Sequence, residues 1–447
     1  MTFSFNATSL YVRVAFASAL VMTAAETASG QAVAGTTAHV RDTYDRHNAA
    51  AMTARKAGDW GAVRRHAIAV DSLFNGNPAT LIAIARASAR LGDTAAALEA
   101  VRTVVSMGVT RNLAADEDLA ALRPHREWND LLSANESNSK SIGEVRVHFA
   151  IPTLDFLAED IVADARRGRY LVSSVRKGLI VAVDAAGKTK PFADARNAGA
   201  WGILALGVDT IRSRLWATTV AMPHVEGYSA VDSGKSAVLR FDLVTGQLQK
   251  RYDLPATRRG NSPGDVAVAP NGDLFVSDSR SGIVYVLEVT ADSLSVFIPE
   301  GTFMSPQGPA LSPDGKWLYV ADYVRGIAQV DLNTREVRWL RHERDAALSG
   351  IDGLTMAGRD HLVAIQNGIA PNRVISITVD PDSGAATSVR VLAQDKSVIR
   401  EPTHGFVVGS EFFFIANSGW DGFDDSGALR ANHGLVPPVV AGVRLNF

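Results

Sequence analysis

Two stretches of this chain repeat one phrase: Val266-Ala-Val-Ala-Pro-Asn-Gly-Asp-Leu-Phe-Val-Ser-Asp278 and Ala310-Leu-Ser-Pro-Asp-Gly-Lys-Trp-Leu-Tyr-Val-Ala-Asp322. Each reads as an apolar strand, a turn built on Asn-Gly or Asp-Gly, and a second apolar strand. Asp278 and Asp322 are 44 residues apart (322 minus 278), close to the period of a four-stranded propeller blade. Looser copies run over Ile161–Ser174, Gly207–Thr218, Leu354–Ile365 and Phe406–Asn417. A third strand follows in places, as in Val238–Leu243 and Ile327–Leu332. Six copies predict a mainly β fold, a six-bladed β-propeller over residues 141–447, which leaves few strand edges exposed. Glu144–Phe149 and Val439–Leu445 read as strands at opposite ends of this region and would together close the ring. An open array or a pair of sandwiches is the alternative.

Ahead of the propeller, residues 38–132 change to helical spacing, rich in Ala, Arg and Leu. Gly58-Asp59-Trp60 recurs as Gly92-Asp93-Thr94, 34 residues on (92 minus 58), each time between two helix-like runs. Glycine ends one helix and Asp caps the next. This N-terminal α-helical module resembles tetratricopeptide repeats: two units, closed by Asp116–Arg123 and Trp128–Leu132. A cap packed on the propeller and a docking module for a protein partner are both open readings. The polar run 133–140 reads as a linker.

The first 32 residues read as a signal peptide. Arg13 precedes the apolar stretch Val14–Met22, and small residues follow to Ala32. The apolar stretch is too short to span a bilayer, and no other reaches about 18 residues. The expectation is an exported protein, periplasmic or secreted, with no membrane span after cleavage. Lys and Arg total 45 against 47 Asp and Glu, a net charge of -2 that speaks against nucleic acid as a partner. The chain has no cysteine, which removes thiol nucleophiles, iron–sulfur clusters and disulfides.

In a propeller the innermost strand of every blade starts at one mouth of the central channel, so equivalent starting positions converge there. Counting back five residues from the matched position after each first strand gives Glu159, Leu204, Gly264, Gln307, Asp352 and His404. Asp265 lies one residue out of register. Carboxylate and amide oxygens suit a hard divalent cation, Ca²⁺ above all, which takes about six to eight oxygen ligands. A solvated polar channel mouth without an ion is the competing reading.

At these residues the chain resembles the gluconolactonase/regucalcin superfamily of six-bladed propellers over about residues 150–445. The resemblance implies that a Glu opening the first blade, an Asn opening the fourth and an Asp opening the fifth hold a divalent metal. Glu159 and Asp352 match, and Gln307 stands in place of the Asn, one methylene longer. Gly264 replaces a third-blade Asn that contacts substrate in the family. A second, weaker resemblance, over Gly207–Leu254, is to the yellow/major royal jelly propellers, largely binders of small molecules.

Other motifs fail on mechanism. Gly260-Asn-Ser-Pro-Gly264 fits a hydrolase elbow in letters only, because Pro263 has no N–H to offer an oxyanion. His342-Glu343 lacks the second His of a zincin, and Asp421–Gly427 lacks EF-hand spacing and reads as a turn. The leading expectation is a metal-dependent hydrolase of lactones or related esters. Glu159, Gln307 and Asp352 would bind the ion, and Asp265 or His404 would transfer protons. The alternative is a non-catalytic propeller that binds a small-molecule ligand, with helices for a protein partner.

Overall fold

Asn271-Gly272 and Asp314-Gly315 reverse the chain because the glycines sit at φ 98° and 70°, where a side chain would be strained. Around such turns the apolar runs pair as antiparallel hairpins. The computed structural model describes residues 40–431 and 434–447; the expected signal segment 1–32 lies outside them. It holds six antiparallel four-stranded sheets. Their innermost strands are Ala158–Asp164, Gly202–Asp209, Pro263–Val268, Pro306–Leu311, Ile351–Met356 and Gly405–Val408, opening blades 1 to 6. Each innermost strand lies against the next, and the sixth returns to the first. The ring closes in blade 6, where Arg146–Ala150 pairs as the outermost strand with Val439–Arg444.

Apolar clusters fill all six seams between blades. In blades 3, 4 and 5 the end of the second strand is also hydrogen-bonded to the segment that leads into the blade. Asp322, at the end of its strand, accepts the N–H groups of Met304, Ser305, Val324 and Arg325. Asp278 does the same for Ser262, Arg280 and Ser281. Burial pushes both carboxyls up against the pull of those donors. In blade 5 the equivalent Gln366 reverses the polarity and donates to the carbonyls of Ala347 and Ser349.

The helices are α1 (Val40–Lys56), α2 (Trp60–Phe74), α3 (Pro78–Arg90), α4 (Thr94–Ser106) and α5 (Arg126–Ser137). Asp59 and Asp93 cap α2 and α4 through the N–H groups of Ala62 and Ala96, with Gly58 and Gly92 at positive φ before them. The expected linker 133–140 contains the last turns of α5, since Leu131 and Trp128 pack inward and carry the helix on to Ser137. Among the described residues no helix is long and apolar enough to cross a membrane.

The helices rest on the propeller. Val70 and Phe74 of α2 pack on Met304, and α3 and α4 bury against Ala347 and Ile369. Asn77, which caps α3, donates to Val324 O; Arg41 donates to Arg280 O; Thr110 N donates to Ala370 O. These partners all lie in loops between the second and third strands of blades 3, 4 and 5. In an antiparallel blade such loops share a face with the starts of the innermost strands. The helical module therefore stands on the channel mouth where the candidate residues converge.

Candidate functional site

Five of the six innermost strands begin with a defect; the sixth, Gly405–Val408, pairs in unbroken register. Pairing with the second strand slips between Ala158 and Ile161, Ile203 and Leu206, Pro263 and Asp265, Pro306 and Pro309, and Ile351 and Leu354. A bulge turns two successive residues toward the same side. That is why Asp265, one residue out of register, lines the channel beside Asp160 and His404.

The structure brings three of the expected residues together. One ligand atom each from Glu159, Asp352 and His404 lie within 4.8 Å of one another. Asp265 joins through His404: its Oδ1 is 2.7 Å from Nε2, and Asp352 Oδ1 is 3.8 Å from the same nitrogen. Gln307 is buried at the start of blade 4; its Nε2 donates to Ser305 Oγ, and its Oε1 faces the space that a side chain on Gly264 would fill. Leu204 is buried in an apolar cluster with Phe423 and offers no ligand.

Glu159 and Asp352 each have one oxygen tied from outside. Trp420 Nε1 donates to Glu159 Oε2 at 2.6 Å, and Asn367 Nδ2 donates to Asp352 Oδ2 at 2.6 Å. Asn367 is itself oriented by Tyr323 Oη, which donates to its Oδ1. Tyr323 adjoins Val324, whose carbonyl holds the α3 cap Asn77. Asp160 supports the floor, taking the N–H groups of Ile161 and Leu206.

Burial, with the Asp352 charge behind it, pushes the Glu159 carboxyl up to about 8. Burial likewise raises Asp160 to about 6. For His404, burial disfavours the imidazolium, but Asp265, Asp352 and Asp160 outweigh that and hold the ring well above its ordinary value. Neither His404 nitrogen nor Asp265 Oδ2 has a well-directed hydrogen bond, despite the short contact between the two residues. Buried, orphaned polar atoms among converging carboxylates fit a bound cation.

Asp160, Asn367, Trp420 and Tyr323 were not singled out from sequence. The Glu159-Asp160 doublet could have flagged the first; the others come from loops whose approach no periodicity encodes. The Asp421–Gly427 segment is a turn: Asp424 Oδ1 takes the N–H groups of Ser426 and Ala428.

Residues 157–378 match the family described as SMP-30/Gluconolactonase/LRE-like region. A search of curated proteins returns no match. Among solved structures, the chain is similar to a calcium-binding protein, regucalcin, from Agrobacterium tumefaciens (16% identity, 68% of this chain and 96% of that one, TM-score 0.48). It is similar to a gluconolactonase from Xanthomonas campestris (15% identity, 64% and 86%, TM-score 0.45). It is also similar to virginiamycin B lyase from Staphylococcus aureus (14% identity, 68% and 99%, TM-score 0.45). Glu159, Asp265, Gln307 and Asp352 all fall inside the segment 157–378 that matches this family, and His404 lies beyond it.

Proposed function

We propose that the channel mouth hydrolyses lactones or related esters with a divalent cation, Ca²⁺ first among candidates. The observation that carries this is the meeting of Glu159, Asp352 and His404 within 4.8 Å, with one oxygen of each carboxylate already tied from outside. Glu159 and Asp352 would hold the ion, with Gln307 Oε1 on the blade 4 side. When bound, such an ion polarises the substrate carbonyl. Trp420 and Asn367 keep the carboxylates aimed inward. Asp265 Oδ2, which has no hydrogen bond, is the acceptor for a proton from the attacking water. His404, whose Nε2 lies 2.7 Å from Asp265 Oδ1, would pass a proton to the departing alkoxide.

The same proposal takes the chain as exported after cleavage near residue 32, periplasmic or secreted, with the helices 38–132 offering a surface to a protein partner and the propeller starting at 141. A second reading, a non-catalytic ligand-binding propeller, is favoured by Leu204 and Gly264, which leave two of six strand openings without polar chemistry.

The test is hydrolysis of a lactone and aryl-ester panel by the purified protein in EDTA and with Ca²⁺, Mg²⁺, Mn²⁺ or Zn²⁺. Metal-dependent turnover lost in Asp352→Ala and kept in Asp424→Ala supports the proposal. No turnover, with every cation leaving the melting temperature unchanged, favours the binding reading.

A further inference from the structure

At the seam between helices and propeller lies an open cavity of about 400 Å³, lined by none of the channel residues Glu159, Asp265, Asp352 or His404 and within the size range of small-molecule sites. Its walls are the end of α4, the loop after blade 4 and the outer strands of blade 5.

Arg373 lies at its floor. The side chain is 2% exposed, yet no carboxylate pairs with it among the described residues. Its Nε donates to Gln366 Oε1, and its Nη1 donates to the carbonyls of Met107 and Gly108 at the end of α4. Those carbonyls carry only the partial charge of a helix terminus. Nη2 makes no hydrogen bond among the described residues. A guanidinium removed from water and lacking an anion is costly, and its remaining edge suits a carboxylate.

The rest of the cavity has the opposite polarity. His342 Nδ1 lies 2.8 Å from the carbonyl of Glu343. A carbonyl can only accept, so in the neutral ring Nδ1 carries the hydrogen and Nε2 is left as an acceptor. Glu343 and Asp345 are exposed and line the same cavity, and neither forms an ion pair among the described residues. Ile375, buried, and Val389, half-buried, line the same cavity and give it an apolar wall. A phosphate or dicarboxylate would meet the two rim acids. A small zwitterion would match both ends, with its carboxylate on Arg373, its ammonium by Glu343 and Asp345, and an apolar side chain between.

We propose that this cavity is a binding site for a free amino acid or short peptide with an apolar side chain, distinct from the channel site. The inference does not depend on metal or hydrolysis at the channel.

Isothermal titration in EDTA with L-leucine and glycyl-leucine tests it, alongside isovalerate, which lacks the ammonium, and isoamylamine, which lacks the carboxylate. One or both zwitterions should bind, isovalerate at least about tenfold more weakly, and isoamylamine not at all. Arg373→Gln should abolish binding. Because that change also loosens α4, Ser388→Trp, at an exposed strand position lining the cavity, gives a second variant that fills the space and should weaken binding at least about tenfold. Asp352→Ala should bind as the wild type does. Silence of both zwitterions, equal binding of isoamylamine, or unchanged affinity in Ser388→Trp overturns the proposal.

Discussion

Trp420 and Asn367 each hold one oxygen of Glu159 and Asp352, which leaves the other oxygen for the proposed cation. Outer partners of this kind typically contribute about 10–100-fold in metal affinity. Asn367→Ala and Trp420→Phe should therefore weaken divalent-cation binding by about 10–100-fold in a calorimetric titration, with little change in melting temperature in EDTA. Tyr323→Phe should have a smaller effect in the same direction, because it orients the Asn367 amide from one bond further out. If these variants bind cation as the wild type does, the carboxylates are positioned by the strand starts alone. Counting strand openings in the sequence found Glu159, Asp352 and His404 because their convergence follows from the repeat. It put Asp265 out of step and passed over Asp160, since a bulge shifts the side-chain phase by one and leaves no mark in composition.

The six hairpins were readable from their turns, and the closing pair was readable from two leftover strands at opposite ends of the region. What the sequence left open was how each blade is fastened to the segment that leads into it. A conspicuous Asp at the end of a second strand, Asp278 or Asp322, reads as a turn residue, but the structure gives it several backbone N–H groups to satisfy. Asp322→Ala would leave four buried or half-buried donors unpaired. The expected cost is about 3–5 kcal/mol in equilibrium unfolding, allowing for water reaching some of them. Asp424→Ala, in a solvated turn, should cost under about 1 kcal/mol. Near-equal losses in the two variants would show that the seam is held by its apolar cluster and not by the carboxylate. The polar run 133–140 misled for a related reason: polar residues suit a linker, and they equally suit the outer face of α5, whose inner face needs only Trp128 and Leu131.

Taken together, the helices cover the channel face over blades 3 to 5, and removing them would bare Met304, Ala347 and Ile369 and free the Arg373 guanidinium. A chain beginning at Ser141 should keep a β-rich circular dichroism spectrum while melting at lower temperature and self-associating in gel filtration. Full loss of β signal would show instead that the ring cannot assemble without its helical cover. The ring has a further property. Because the strand at Arg146–Ala150 is laid beside Val439–Arg444, the propeller's beginning and end are neighbours in one sheet. Their covalent order is then a matter of bookkeeping: joining them by a short tether and cutting between any two blades elsewhere would relocate the seam of the chain without altering which strand touches which. The same adjacency makes this blade the clasp of the molecule. Tension applied between residue 146 and the C-terminus would peel one strand pair before disturbing any other blade, and the carboxylates at the channel mouth would drift apart only after that clasp had opened.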